Sequence, residues 1–159
     1  HSFPTRRSSD LPSWELGFDD PENPSSLEKI IRAVGGEPVA YAGRTKCCGF
    51  PIILEKEAIA VAMAGTNMKD ARDHGADFMV TPCPLCHMSL DIYQERAGRA
   101  VKTELNLPIL HLPQLLGLAM GLPAQDLGLS RHLISVDRIV TRLQNPDTTP
   151  SSLPAEPRT

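Results

Sequence analysis

All four cysteines of this chain fall in two short motifs. Cys47 and Cys48 are neighbours in KCCGFP, and Cys83 and Cys86 form a C-x-x-C in TPCPLCH. Thiolates are soft ligands that suit zinc, copper(I) and iron–sulfur clusters. Because no cysteine lies outside the two motifs, the pattern predicts one metal site that draws on both.

The C-x-x-C motif lies at the predicted start of a helix. With Pro84 at the first helical position, Cys83 and Cys86 lie on one side of the first turn. The free N–H groups and the positive end of the helix dipole lower the pKa of a thiol there and favour the thiolate. This half of the site suits a metal, but its spacing alone fits zinc, an iron–sulfur cluster or dithiol redox chemistry.

The adjacent cysteines discriminate between these chemistries. Neighbouring side chains of an extended segment point to opposite sides, so Cys47 and Cys48 reach one small ion only with distortion. Structural zinc sites normally use C-x₂₋₄-C spacings, whereas a cluster of several irons can take adjacent thiolates on different irons. Gly49 would let the backbone pass close to inorganic sulfide, and Pro51 would stiffen the loop. The residues favour an iron–sulfur cluster, with zinc, a redox dithiol and unrelated buried cysteines as alternatives.

Strand and helix signals alternate around the two motifs. Strands are predicted at EPVAYA, ADFMVTP and LPILHL, and the first two lead into the cysteine loops. Helices are predicted in SLEKIIRAVGG with Ser25 or Ser26 as cap, from about Glu55 to His74, from Pro84 toward Glu104, in PQLLGLAMGL and at the end of LGLSRHLISVDRIVTRL. This order predicts an α/β domain with a mainly parallel sheet. Loops that follow parallel strands gather at one edge, so we expect the four thiols to converge.

Composition and charge exclude several classes of function. The chain has 159 residues and a formal net charge of -3, which argues against a nucleic-acid surface, since that needs a basic patch. No apolar run reaches the about 18 to 20 residues that span a bilayer, and no secretory signal is visible. We expect a cytoplasmic protein, in which a reducing environment favours metal-bound cysteines over disulfides.

The two ends of the chain differ from its middle. Residues 1–11, HSFPTRRSSDL, resemble the translation of a sequencing adapter and are interpreted as non-native, with a disordered native tail as the alternative. Residues 12–143 carry the periodic elements of one domain. Residues 144–159 are rich in Pro, Ser and Thr, which predicts a disordered tail.

CCGFP and TPCPLCHMSLD together resemble the cysteine-rich CCG domain, whose pattern is an upstream cysteine, Cys-Cys-Gly and then Cys-x-x-Cys. Over residues 12–143 the chain resembles the C-terminal CCG domain of the heterodisulfide reductase B subunit, also through FDDPENPSSLEKIIRAVGGEPVAY and ILHLPQLLGLAMG. The resemblance implies a parallel sheet flanked by helices. It also implies a non-cubane 4Fe-4S cluster at which a disulfide is reduced or formed, with the ligands Cys47, Cys48, Cys83 and Cys86. A flavin-bearing A subunit and an iron–sulfur C subunit are the implied partners.

The chain departs from the family pattern at one point. The upstream cysteine of the family is expected within residues 7–15, where the adapter-like segment lies. We expect the first strand and an N-terminal CCG domain to be lost with it by truncation. The chain is therefore interpreted as a fragment that is inactive alone.

The remaining residues offer weaker signals. His87 follows Cys86 and could hydrogen-bond a cluster sulfide or relay a proton, with a structural role as the alternative. The other histidine spacings give no zinc pattern, and we expect His74 and His111 to be structural. No G-x-G-x-x-G motif is present, so a flavin would belong to another polypeptide of the complex.

Two other functions stay open at this point. CCG domains also occur in the iron–sulfur subunit of lactate or glycolate oxidation, where a cluster would only conduct electrons. The alternative of another class is a non-catalytic structural module that binds zinc at the same cysteines.

Overall fold

The computed structural model describes residues 19–20 and 23–144. The chain forms two compact units, residues 1–39 and 40–159. The predicted adapter-like segment at residues 1–11 and the tail after residue 144 lie outside the described residues. Among the residues described, no helix is both long and apolar enough to cross a membrane.

The first unit contains helix α1, Ser26–Ala33, where a helix was predicted. Ser25 occupies the N-cap position, as predicted, but its side chain makes no capping hydrogen bond. The Asp19 carboxylate accepts the N–H groups of Ser25 and Ser26 at 2.8 to 3.0 Å instead. Hydrogen bonds from the Ser26 side chain and from these N–H groups hold the pKa of Asp19 well below its usual range. After the helix, Gly35 takes a positive φ of 85°, as expected for a helix end.

The second unit contains a parallel sheet of two strands in the part of the chain that is described. Strand β1 is Met79–Thr81 and strand β2 is Ile109–His111. Their register pairs Met79 with Ile109 and Thr81 with His111. Helices flank this small parallel sheet, so the predicted α/β class is confirmed, although the sheet is much smaller than the helical part.

The predicted strand EPVAYA is wrong. Residues 37–41 join no sheet, and a short 3₁₀ turn, Ala42–Thr45, follows them. Tyr41 is extended, with φ -149° and ψ 155°, but a strand also needs a hydrogen-bonded neighbour. The backbone N–H of Gly43 is instead donated to the Asp70 carboxylate at 2.9 Å. The segment that leads to the first cysteine pair is thus held by a helix and not by the sheet.

Five helices of the second unit are described. They are α2 Glu57–Asp73, α3 Pro84–Ile92, α4 Gln94–Val101, α5 Leu112–Ala119 and α6 Asp137–Gln144, with further 3₁₀ turns at Phe50–Ile52 and Leu129–Arg131. The one helix predicted from Pro84 onward is divided at Tyr93, which has φ -92° and ψ 10°. This break directs the Gln94 side chain inward, where it is 2% exposed.

The core lies between α2, α4 and the sheet. Helix α2 packs on α4 through small side chains, which permit a close approach of the two backbones. A Cβ atom on Gly65 would lie 2.7 Å from the Ala97 carbonyl oxygen. Met68 and Ile109 are fully buried at the centre, and Cys48 belongs to the same buried cluster. The first cysteine pair is therefore anchored to the core through one of its two members.

Gly49 is predicted to be intolerant of alanine. Its φ is +85°, and an added Cβ would meet the Ala60 oxygen at 2.6 Å and the Ala60 Cα at 2.7 Å. We expect Gly49→Ala to lower the free energy of unfolding by about 2 to 5 kcal/mol, which combines backbone strain with overpacking. Urea unfolding followed by circular dichroism measures this value.

Gly75→Ala is the matched control for that substitution. Gly75 has φ +87° but nothing within 4 Å of an added Cβ, so only the backbone strain of roughly 1 to 2 kcal/mol is expected. Equal losses in the two variants would show that the approach of Gly49 to α2 is unimportant.

Candidate metal centre

Cys83 lies at the junction between the sheet and α3. Strand β1 ends two residues earlier, at Thr81, and Cys83 is the N-cap residue of α3, with Pro84 at the predicted first position. The Thr81 hydroxyl accepts the Cys83 N–H at 3.2 Å, which orients the turn. Hydrogen bonds from the Cys86 N–H and thiol and from the Leu85 N–H lower the pKa of Cys83. The start of the helix thus favours a thiolate at Cys83, as the sequence predicts.

Cys86 lies in contact with two other thiols. The expected lowering of the thiol pKa is wrong for Cys86, because burial raises its pKa and hydrogen bonding and charge repulsion from Cys48 and Cys83 raise it further. Cys48, only 6% exposed, approaches from the other motif because the Ser89 hydroxyl donates to the Cys48 carbonyl oxygen at 3.2 Å. The structure therefore brings together Cys48, Cys83 and Cys86 at the start of α3.

The side chain of Cys47 lies on the opposite side of the loop from the side chain of Cys48. It is exposed, and its sulfur accepts the Gly49 N–H at 3.4 Å. The Asn67 amide donates to the Cys47 carbonyl oxygen at 3.0 Å, which fixes the backbone against α2. Cys47 also lines an open cavity of about 470 Å³ with residues of this helix. The opposite orientation of neighbouring side chains, expected from the sequence, is what separates Cys47 from Cys48.

The loop-shaping residues have roles that the local geometry explains. The backbone of Gly49 takes a left-handed conformation and lies against Ala60. The packing of this backbone on α2 explains why the position is a glycine. Pro51 lies within the 3₁₀ turn Phe50–Ile52, and Pro84 opens α3. A close approach of Gly49 to inorganic sulfide stays a prediction.

A second cluster of ligand-type side chains lies on the neighbouring face of α3. Single potential ligand atoms of His87, Asp91 and His132 all lie within 4.8 Å of one another. Burial lowers the pKa of His132, while the Asp91 charge opposes this shift. This cluster was not predicted from the sequence. The spacing of His87 and Asp91 by four residues was visible as one helix face, but nothing local to His132 indicates that it joins them.

Two further histidines in the described part of the chain have structural contacts. The Nδ1 atom of His74 lies 2.8 Å from the Asp70 carbonyl oxygen at the end of α2. The Nε2 atom of His111 lies 3.2 Å from the Pro82 carbonyl oxygen, and its ring is 5.9 Å from that of His87. The ring of His87 is directed at the Ile109 carbonyl oxygen, 3.2 Å from its Nε2 atom.

The fold and the gathered thiols define a cysteine-rich domain, and comparison with known proteins identifies it. Residues 14–91 match the CCG family, described as a cysteine-rich domain. The predicted resemblance to CCG domains and to the B subunit of heterodisulfide reductase is confirmed by this match and by the relatives.

Three curated relatives illustrate the similarity. The 8-methylmenaquinol:fumarate reductase membrane anchor subunit of Wolinella succinogenes is 42% identical over 128 residues, which cover 80% of this chain and 45% of that protein. The B subunit of the ferredoxin/F420H2-dependent CoB-CoM heterodisulfide reductase of Methanosarcina acetivorans is 30% identical over 77% of this chain and 42% of its own length. A protein of Archaeoglobus profundus that is named as similar to the heterodisulfide reductase B subunit is 36% identical over 65% of this chain and 35% of its own length. The chain thus spans less than half the length of these relatives.

Proposed function

We propose that this chain is the iron–sulfur domain of a heterodisulfide reductase-type B subunit, with a non-cubane 4Fe-4S cluster held by Cys47, Cys48, Cys83 and Cys86. The observation that carries the proposal is the interaction of the Cys86 thiol with the thiols of both Cys48 and Cys83 at the start of α3. Three soft donors joined through Cys86 and drawn from both motifs fit a metal cluster better than isolated core cysteines do.

The residues around Cys83 support a thiolate at that position. The N–H groups of Leu85 and Cys86 point at the Cys83 sulfur, and such donors stabilise thiolate ligands. Cys48 is buried, which shields part of the site from water, whereas Cys83 and Cys86 stay partly exposed and leave an approach for a substrate. Cys47 is the fourth proposed ligand, and its sulfur must turn from the α2 side to join the others.

The proposed reaction is the reduction of a disulfide to two thiols, or the reverse. Two electrons and two protons are consumed for each disulfide cleaved, and a cluster held by these cysteines would supply one-electron transfer. A flavin-bearing A subunit and an iron–sulfur C subunit are the proposed electron source. Support comes from the relatives named as B subunits of heterodisulfide reductases or as similar to them, which are 27% to 36% identical to this chain.

A second candidate follows from the relative with 42% identity. That protein is named as a membrane anchor subunit of an 8-methylmenaquinol:fumarate reductase. In this alternative the same cysteines hold a cluster that carries electrons between a quinol and a fumarate-reducing partner, and no disulfide reacts.

Anaerobic reconstitution tests the cluster itself. With iron and sulfide supplied, we expect the chain to bind a labile cluster with up to about four irons, detected by metal analysis and electron paramagnetic resonance. Zinc bound in preference to iron, without a paramagnetic signal, would support the structural zinc module instead.

Addition of a small thiol to the oxidised cluster separates the two candidate reactions. A disulfide-reducing site is expected to change its paramagnetic signal when a thiol binds, and to catalyse viologen-dependent disulfide reduction when its partner proteins are present. A purely electron-carrying site should show neither response while its cluster is still reduced by the viologen.

A further inference from the structure

The face of α3 beside the thiols carries two potential ligands from one helix and one from a distant loop. His87 and Asp91 are four residues apart on α3, so their side chains project from adjacent turns of one face. His132 follows the 3₁₀ turn Leu129–Arg131, and its ring meets that of His87 edge-on at 4.8 Å. Potential ligand atoms of these three residues lie within 4.8 Å of one another.

The tautomer of His132 is fixed by Gln114. The Gln114 amide nitrogen donates to the Leu127 carbonyl oxygen at 3.1 Å, and its Oε1 atom accepts the His111 N–H at 2.9 Å. Since Oε1 is thereby identified as the acceptor end, the Nε2 atom of His132, 3.2 Å away, must donate to it. The Nδ1 atom of neutral His132 then carries the lone pair, and this buried atom has no hydrogen-bond partner among the described residues.

His87 follows the same pattern. Its Nε2 atom lies 3.2 Å from the Ile109 carbonyl oxygen, which can only accept a hydrogen bond. The Nε2–H of His87 is therefore committed to β2, and the lone pair falls on Nδ1. A histidine that donates one ring N–H to a carbonyl or amide oxygen and offers its other nitrogen is the arrangement found around protein-bound metals.

Asp91 supplies an anionic oxygen. It is only 5% exposed, and its two oxygens accept the N–H groups of Leu133 at 3.0 Å and Ile134 at 3.3 Å. A carboxylate offers about four lone-pair positions, so these contacts hold the group in place without using all of them. They also fix the loop that carries His132 against α3, so one residue positions two of the three ligands.

We propose that His87, Asp91 and His132 form a binding site for one divalent transition metal, with Zn²⁺ as the expected ion, separate from the cysteine cluster. Two imidazoles and a carboxylate are a known ligand set for zinc, with a fourth position for water. Tetrahedral zinc with bonds of about 2.0 to 2.1 Å places ligand atoms roughly 3.3 Å apart. For the set of atoms that lies within 4.8 Å, one ring nitrogen from each histidine and one carboxylate oxygen, this separation requires a closure of no more than about 1.5 Å.

Zinc binding to a chain with Cys83→Ser and Cys86→Ser tests this site, because the substitutions remove two of the gathered thiols. Calorimetric titration of this background chain should give one zinc ion per chain. Adding His132→Gln or His87→Gln is expected to weaken binding at least about tenfold, since a protein ligand is lost. Cobalt(II) serves as an optical probe and should show visible ligand-field bands without the near-ultraviolet charge transfer of thiolate ligands.

His74→Gln is the matched control, because His74 is an exposed histidine at the end of α2. This substitution should leave the zinc affinity unchanged. Absence of zinc binding to the background chain, equal affinity in His132→Gln, or a thiolate charge-transfer band would overturn the proposal. If the His132 variant fails to fold by circular dichroism, X-ray absorption of the zinc-loaded background chain decides. Sulfur in the first coordination shell would then contradict the site, and nitrogen and oxygen alone would support it.

Discussion

Cys86→Ser is expected to reduce the iron bound by the reconstituted chain to near zero. Cys86 is the thiol that contacts both Cys48 and Cys83, so its loss separates the two motifs. A hydroxyl is a harder and poorly ionised ligand that does not replace a thiolate for iron. Iron and acid-labile sulfide per chain, measured after anaerobic reconstitution, report the result.

Two further variants give this prediction its controls. Met88→Ser places the same new residue on the same helix, at a position that is 43% exposed, and should keep the iron content of the unmodified chain. Cys47→Ser should give a partial and labile cluster, because the three remaining thiols already lie together. Iron content in Cys86→Ser equal to that in Met88→Ser would remove the basis of the proposed cluster.

The second cysteine motif could be predicted well from sequence because its signals are local. A strand that ends before Cys83, a proline at the first helical position and the C-x-x-C spacing all act within a few residues. The structure accordingly has β1 end at Thr81 and α3 begin at Pro84. Such signals need no knowledge of distant contacts, since turn and cap preferences are set by the backbone itself.

The two cysteine motifs were predicted to meet because both were expected to follow strands of one parallel sheet, and this reason holds for only one of them. Cys83 does follow a strand, but the loop of Cys48 follows an extended segment outside the sheet. Cys48 reaches the start of α3 because Ser89 binds its carbonyl oxygen and because the Gly49 backbone lies against Ala60 in α2. These contacts join residues far apart in sequence, and no local pattern specifies them.

The break between α3 and α4 was missed for a similar reason. The sequence from Pro84 onward has continuous helical character, so a single helix is the simplest prediction. The side chain of Gln94 instead forms hydrogen bonds with the backbone of Leu107, in a segment farther along the chain. A tertiary hydrogen bond of this kind overrides helix propensity, which is a weak preference for each residue.

Gln94→Ala is expected to destabilise the second unit strongly. The Gln94 amide donates to the Leu107 carbonyl oxygen at 2.9 Å and accepts the Leu107 N–H at 2.7 Å, so it pairs with this residue as a neighbouring strand would. Both residues are 2% exposed, and water cannot replace the lost partner without a rearrangement. Each buried group left unsatisfied costs about 1 to 3 kcal/mol, which gives an expected loss of roughly 3 kcal/mol in the free energy of unfolding.

Glu95→Ala provides the control at the next position of α4. Its carboxylate is 83% exposed and pairs with Arg99 at 3.3 Å, a surface interaction worth less than about 1 kcal/mol. Urea unfolding of both variants should therefore show a large loss in the free energy of unfolding for Gln94→Ala and a small loss for Glu95→Ala, with little change in the denaturant slope.

Gln94→Ala should also weaken zinc binding at the proposed site of His87, Asp91 and His132. Leu107 leads into β2, and the Ile109 carbonyl oxygen of this strand orients His87. A Gln94→Ala chain as stable as Glu95→Ala would show that this paired hydrogen bond does not hold the second strand in place.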